Sequence, residues 1–312
     1  MQVENWSDFL FLLELLGQSI VTGLLIGGLF ALASVGLGLI FGLMKVINFA
    51  QPDFMMLGMY GAFFFVASLG GVTFFGPYIT PILAAIAAAI VVGALGWVMH
   101  LGLLSRVTGE SGGHDQQIML TLGIALILQN GALIVFGADP LTIRTPFSAQ
   151  AWTLGFLFFN KAKVIACLVA VVMTVCLYYF MSRTTTGKAL RAAADNPEAA
   201  TYMGIDVTRA HRIGFAIGIG LTAAAGALIA TYHPFQPYIG LDFLILMYAS
   251  VVLGGLGSIT GAFWGGLTIG LVQQVSTVFV PIQLQNMMVF IAFLLIVLLR
   301  PQGLFGRVTE RV

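Results

Sequence analysis

Long apolar runs separated by short polar breaks dominate this chain. The runs are continuous, which favours membrane-spanning α-helices of about 20 residues over the alternating strands of about 10 residues that build a membrane β-barrel. One run, 242–257, is short for a complete crossing, so the pattern predicts eight or nine spans. The predicted spans are 18–43, 52–70, 79–104, 118–137, 162–182, 213–232, 242–257, 261–280 and 285–300.

A polar island interrupts the pattern in the stretch GLMKVINFAQPDFMMLGMYG, residues 42–61. Pro52 is tolerated at a helix start, where its missing N–H has no helical partner. Side chains such as Asn48 or Gln51 can serve free N–H groups there. A glycine-rich break at 254–261 is the counterpart in the second half of the chain.

Paired interruptions of this kind point to a transport path, because broken helices at membrane depth require protein or a water-filled cavity around them. The alternative is an ordinary cytoplasmic turn at 45–53. Polar residues inside spans usually face the bundle interior, where they bind other helices or line a path. The candidate path residues are Asn48, Gln51, Asp53, Gln129 and Asn130.

Composition supports an integral membrane protein. Hydrophobic residues make up 59% of the chain, charged residues 8%, and the mean hydropathy is +1.02, whereas soluble domains carry roughly 25% charged residues. The net charge of +1 comes without a basic, aromatic-rich patch, so no nucleic-acid partner is expected. Histidines and cysteines lack ligand spacing, and nucleophiles and bases do not cluster. We therefore expect no metal, no cofactor and no catalytic residues, and we expect that the chain is not an enzyme.

Basic residues are distributed unequally between the two sides that alternating spans define. Ten fall on one side and three on the other, which predicts that the first side is cytoplasmic. The C-terminus is then inside and the N-terminus outside. The larger group is Lys45, Arg106, Arg183, Lys188, Arg191, Arg209, Arg212, Arg300, Arg307 and Arg311, and the smaller is Arg144, Lys161 and Lys163.

The predicted cytoplasmic loop 183–212 has a helix–break–helix pattern. Asp195 or Asn196 can cap a short helix whose first residue is Pro197. Gly204 stands where a left-handed residue ends such a helix. A short capped helix in this place suits docking to a partner protein, and the alternative is a solvated connection.

Glycine spacing predicts close helix packing. Small residues recur every four positions in the set Gly214, Gly218, Thr222 and Gly226, and again in Gly257, Gly261 and Gly265. Such stripes let another helix backbone approach closely. The expected architecture is an all-α polytopic transmembrane helix bundle with glycine- and proline-interrupted segments, forming a single domain over 1–312.

The stretch TTTGKALRAAADNPEAATYMGID resembles the coupling loop of ABC-transporter permeases, in the version found in Liv-type branched-chain amino acid permeases. The segments GLIFGLMKVINFAQPDFMMLGMY, VVLGGLGSITGAFWGG and LLRPQGLFGR are also similar to that family. One departure is Gln51-Pro52-Asp53, where the family usually has His-Gly followed by an acidic residue.

The resemblance implies a permease subunit of an importer in a bacterial inner membrane. Its implied partners are ATPase subunits, a second permease subunit and an extracytoplasmic substrate-binding protein, besides membrane lipid. The implied substrates are leucine, isoleucine, valine or related small polar molecules, with urea or short amides as an alternative. A rival interpretation is an ion-coupled secondary transporter that uses Asp53. The residues expected to couple the chain to the ATPase are Gly187, Arg191, Glu198, Ala199, Ala200 and Gly204.

Overall fold

The computed structural model of the protein describes residues 6–69, 76, 78–107, 114–143, 145, 150–155, 157–300 and 303–305. Arg144, Arg307 and Arg311, which contributed to the predicted charge asymmetry, lie outside the described residues. Helices dominate the described part of the chain. They are α1 Trp6–Met44, α2 Gln51–Ser68, α3 Ile79–Met99, α4 Ser105–Val107, α5 His114–Phe136, α6 Lys161–Arg183, α7 Thr185–Asp195, α8 Pro197–Tyr202, α9 Val207–Ile229, α10 Ile239–Gly254, α11 Ile259–Ser276 and α12 Gln285–Leu299.

Six segments of the described chain are long and apolar enough to cross a membrane. They confirm an all-α polytopic membrane architecture. The helices α2, α10 and α11 are not among the six segments. The six segments are Phe9–Met44, Ile79–Val107, Asp115–Phe136, Lys161–Arg183, Val207–Ile229 and Ile282–Leu299.

The first helix is longer than the sequence pattern predicted. It begins at Trp6 instead of residue 18 and spans 39 residues, because isolated acidic residues such as Glu14 do not interrupt a run of strong helix formers. The third predicted span, 79–104, is also one continuous rod, but a π-helical turn, His100–Leu104, joins α3 to α4. Such turns insert an extra residue into the helical ladder.

A β-hairpin at one end of the bundle corrects the purely helical expectation. Strands β1 (Ala151–Leu154) and β2 (Leu157–Asn160) pair antiparallel around Gly155, whose φ is +64°. The Gln18 side chain fixes the hairpin to α1, since its Nε2 donates to Phe158 O and its Oε1 accepts from Phe158 N, both at 2.8 Å. We call this end of the bundle the hairpin end.

The opposite end carries α7 and α8, and we call it the loop end. Met44, the last residue of α1, lies toward this end, because its neighbour Leu43 packs with Leu190 of α7 around Gly214. The break between α10 and α11 is also here: a Cβ on Gly42 would lie 2.9 Å from the carbonyl oxygen of Gly257. Gly257 has a φ of +86°, which suits the sharp reversal between the two helices.

The core is built on α1, α9 and α11, where small residues let the helices touch. Gly218 of α9 lies on the backbone of Gly36 in α1, and Gly226 lies on the carbonyl of Met55 in α2. In the second stripe, Gly261 of α11 lies on the backbone of Gly254. The predicted close packing along both glycine stripes is therefore confirmed.

Candidate functional site

The start of α2 lies in the interior of the bundle. Gln51, its first residue, is fully buried, and its Nε2 donates to Thr222 Oγ1 at 2.7 Å and to Gly218 O at 3.3 Å. Both acceptors belong to the middle of α9, Val207–Ile229. The helix α2 thus begins about half way along a membrane-spanning neighbour and not at the end of the bundle.

A tight turn brings the chain from the end of α1 back to this depth. Lys45 adopts a left-handed φ of 57°. Asn48 then organises the turn, since its Oδ1 accepts from Ala50 N at 3.2 Å and its Nδ2 donates to Gln51 Oε1 at 2.9 Å. The predicted service of a free N–H by Asn48 is confirmed. Tyr248 of α10 adds a hydrogen bond of 2.7 Å from its hydroxyl to Asn48 O.

Asp53 lies in the first turn of α2 and is only 2% exposed. Gln129 of α5 donates to its Oδ1 at 2.9 Å. In the described part of the chain, no basic side chain pairs with this carboxylate. Asp53 is therefore a buried acidic group whose side-chain partner is a neutral amide.

The start of α10 faces the same carboxylate. A Cβ built on Gly240, the second residue of α10, would lie 2.6 Å from Asp53 Oδ1 and 3.3 Å from Asp53 N. The N-termini of α2 and α10 consequently adjoin. Because each helix N-terminus carries a partial positive charge, their junction offsets part of the cost of burying a carboxylate there.

These contacts form one mid-bundle polar cluster, which joins α2, α5, α9 and α10. Four of the five predicted path residues, Asn48, Gln51, Asp53 and Gln129, belong to it. Asn130 does not, because its side chain points about 100° away from that of Gln129 and is exposed, and its Nδ2 donates to Leu126 O at 2.8 Å. The cluster offers hydrogen-bond donors, acceptors and one carboxylate in an otherwise apolar interior.

Sequence reasoning missed two members of this site. Tyr248 lies within an apolar run in which a single tyrosine gives no positional signal. Gly240 was hidden for the same reason, since a glycine beside a span start suggests no particular contact. Thr222 was predicted only as a small packing residue, although its hydroxyl also accepts the hydrogen bond from Gln51.

The loop-end helices follow the predicted pattern. Asn196 caps α8, with its Oδ1 accepting from Ala199 N at 3.0 Å, and Pro197 is the first helical residue. Gly204 ends the turn with a φ of +80°. Thr184 caps α7 in the same way by accepting from Gly187 N at 3.0 Å. The helix–break–helix prediction is therefore confirmed.

The predicted coupling residues divide into exposed and buried groups. Glu198, Ala199 and Gly204 are exposed on α8 and its end. Arg191 is also exposed, and its guanidinium lies 3.4 Å from Ser182 O. The two buried residues are Gly187, which lies on Met181 of α6, and Ala200.

Two large apolar side chains at the end of α8 complete this surface. Tyr202 is 87% exposed and Met203 is 82% exposed, although both lie beyond the ends of the six long spans. Contiguous exposed apolar patches commonly mark contacts with another protein, and these two residues are neighbours in the chain. The sequence contained both residues, but periodicity over a helix of six residues did not show which side chains face outward.

The sequence was compared with known proteins. The model of the family described as "Branched-chain amino acid transport system / permease component" matches residues 19–299. Curated relatives include the high-affinity branched-chain amino acid transport system permease protein LivH of Salmonella typhimurium, 27% identical over 93% of this chain and 95% of the relative. The corresponding protein BraD of Pseudomonas aeruginosa is 28% identical over the same shares.

A probable branched-chain amino acid transport permease LivH of Methanocaldococcus jannaschii is 29% identical over 85% of this chain and 83% of the relative. No solved structure matches the chain. The family match covers the residues of both the mid-bundle polar cluster and the loop-end helices. The protein is a member of the branched-chain amino acid transport system permease component family.

Proposed function

We propose that this chain is the permease subunit of an ATP-driven importer of branched-chain amino acids in a bacterial inner membrane. The names of its relatives support this substrate class. The chain itself carries no ATP-hydrolysing role in the proposal, because hydrolysis belongs to partner ATPase subunits. An extracytoplasmic substrate-binding protein delivers the amino acid, and a second permease subunit completes the path.

The proposed topology places the loop end in the cytoplasm and the hairpin end outside. The excess of basic residues around α7, α8 and the start of α9 supports this orientation, including Arg183, Lys188, Arg191 and Arg209. The helices α2, α10 and α11 lie in the membrane with the six longer segments, which makes nine membrane helices. The N-terminus is then outside and the C-terminus is cytoplasmic.

The observation that carries the transport proposal is the meeting of two helix starts at Asp53. Helices that begin inside a membrane bundle leave backbone N–H groups and polar side chains at a depth where only protein or a cavity can accommodate them. Transporters place substrate sites at such interruptions. In the proposal, Asp53, Gln51 and Gln129 border the path, and apolar neighbours accommodate the aliphatic side chain of the substrate.

The coupling proposal rests on the exposed surface of α8. Glu198 and Ala199 on its first turn, together with Tyr202 and Met203 at its end, form a small protruding surface. Small alanines permit close approach, and the apolar pair anchors the helix in a groove of the ATPase. Gly187 acts indirectly, because it holds α7 against α6.

The deciding experiment measures uptake into sealed proteoliposomes that enclose ATP. The membrane of these proteoliposomes contains the complex purified with its ATPase. ATP-dependent uptake of labelled leucine, supplied with its binding protein, is the expected result. Urea and short amides serve as competing substrates, and preferential uptake of either would replace the amino acid assignment. Uptake driven by an ion gradient with no ATPase bound would contradict the proposal and support a secondary transporter.

A further inference from the structure

The outward face of α5 has a regular seam. Counted along the helix, the spacing alternates between four and three residues, which is the pattern of two helices packed side by side in a left-handed coil. One series of positions is polar or small and the other is aliphatic. The seam consists of Gln116, Leu120, Gly123, Ile127, Asn130 and Ile134.

The opposite face of α5 already has its partners. Gln129 binds Asp53, and Phe136 stacks on Tyr60 with ring centroids 4.3 Å apart. The seam faces away from these contacts: Ile134 is 84% exposed, and a Cβ on Gly123 would have nothing within 4 Å. Leu120 is partly buried against the core, whereas Ile127, Asn130 and Ile134 are exposed, so the uncovered part of the seam is its half toward the end of α5.

Lipid is a poor partner for this face. An aliphatic surface such as Ile127 and Ile134 is equally stable against lipid or protein, but an exposed amide within a span is disfavoured in hydrocarbon. The Asn130 side chain donates one hydrogen bond to its own helix at Leu126 O and keeps its second N–H proton and its carbonyl oxygen for another partner. A glycine at this spacing adds nothing to lipid contact but lets a second helix approach.

We propose that the seam is the surface on which α5 packs against the second permease subunit. The partner is a parallel helix of the same family that presents a small residue and an amide or hydroxyl at the depth of Asn130. The inference rests on the proposed function, since an importer whose ATPases all bind one side of the membrane requires both permeases in the same orientation. A twofold or pseudo-twofold axis normal to the membrane then keeps equivalent residues at equal depth.

This geometry makes the amide self-complementary. Asn carries a donor and an acceptor, so two amides that meet across a twofold axis can exchange hydrogen bonds. A single polar residue in an apolar seam also sets the register of the pair. Gln129 and Asn130 are adjacent in α5 and point about 100° apart, so one helix carries both the amide that binds Asp53 and the amide of the proposed pairing surface.

The test is site-specific photo-crosslinking in cells, with p-benzoylphenylalanine in place of Ile127 or Val135. These residues match well as a pair, because both are 71% exposed on the same helix and only Ile127 belongs to the seam. The expected result is a crosslink from position 127 to a transmembrane helix of a second permease chain, identified by peptide mass spectrometry. Position 135 is expected to give lipid adducts only.

Equal crosslinking at both positions, or adducts of position 127 with lipid alone, would overturn the inference. The purified sample is also assayed for bound ATPase and for uptake. If both are present without the seam crosslink, the interface assignment fails while the proposed function stands. If no ATPase is bound, the proposed function itself fails.

A second measurement uses Asn130→Leu, which keeps the helix but removes the amide. Its expected effect is a weaker permease pair, about three- to twentyfold by dilution in detergent, as interhelical hydrogen bonds contribute modestly in membranes. The control Val135→Leu is expected to leave the pair unchanged. Identical dissociation of the two variants would count against the role of Asn130 in the interface.

Discussion

The carboxylate of Asp53 and the backbone of Gly240 are in contact at the junction of two helix starts, with no room for a methyl group between them. Replacing Gly240 by Ala would place a Cβ 2.6 Å from Asp53 Oδ1, so either α10 or the carboxylate has to move. We expect Gly240→Ala to abolish most uptake and to destabilise the protein by about 1–3 kcal/mol.

The measurement is uptake together with thermal unfolding in detergent. Gly131→Ala is the matched control, because Gly131 is also helical but has no atom within 4 Å of an added Cβ. It is expected to retain both uptake and stability. A fully active Gly240→Ala protein would show that the contact between α2 and α10 is unimportant for transport.

Asp53→Asn tests the charge at the same site. The substitution preserves the shape of the side chain and an oxygen that can accept from Gln129, but it removes the negative charge that the two helix starts favour. Reduced uptake with normal assembly is expected. Asp242→Asn, on an exposed residue in the first turn of α10, is the control and is expected to remain active. Equal activity of both variants would make Asp53 a structural turn residue.

Gln129→Leu addresses the stability of the buried carboxylate. The substitution removes the amide that donates to Asp53 Oδ1 and leaves that oxygen without a side-chain donor. A buried polar group that loses its partner typically costs about 1–3 kcal/mol, and a charged group costs more. The free energy of unfolding is therefore expected to fall in Gln129→Leu and to recover partly in the double variant with Asp53→Asn. A double variant no more stable than Gln129→Leu would contradict this coupling.

The end of α8 provides a test of coupling to the ATPase. Gly204 has a φ of +80°, so Gly204→Val introduces strain of about 1–2 kcal/mol, whereas Asn tolerates this conformation better. Gly204→Val and Ala199→Leu are both expected to reach the membrane but to lose the ATPase on co-purification. Gly204→Asn is the control and should retain it. ATPase binding by all three variants would place the docking surface elsewhere.

Orientation can be measured by cysteine accessibility in a background without Cys167 and Cys176. Lys188→Cys in α7 is expected to react with an impermeant maleimide only after the inner membrane is opened, whereas Thr153→Cys in the hairpin is expected to react in spheroplasts. Both parent residues are exposed, so accessibility does not limit the comparison. The reverse labelling pattern would invert the proposed topology.

The sequence contained most of the information about the fold, because apolar runs, caps and glycine spacing are local signals. The cap at Asn196 and the left-handed Gly204 follow from residue chemistry within one turn. The start of α1 and the hairpin were not predicted, since a lone Glu14 and strands of four residues give weak patterns. By length and composition, six segments of the described chain qualify as membrane spans, and α2, α10 and α11 are not among them.

The polar site was only partly predictable. Interruption of an apolar run by Asn48, Gln51 and Asp53 identified one side of it. The positions of Tyr248 and Gly240 depend on how α10 lies against α2, which is a property of the folded chain. Periodicity would have separated Gln129 from Asn130, because consecutive helical residues point about 100° apart.

The side-chain amide of Gln18 binds the hairpin as the backbone of a neighbouring strand would, since it both donates to and accepts from the backbone of Phe158. These two hydrogen bonds attach the hairpin to α1. At 1.5 Å per residue, the 39 residues of α1 form a helix about 58 Å long. At the other end of the helix, Leu43 meets Leu190 of α7. Under the proposed topology and docking surface, a displacement of the hairpin outside the membrane would be transmitted along α1 to the helices next to the proposed ATPase contact inside.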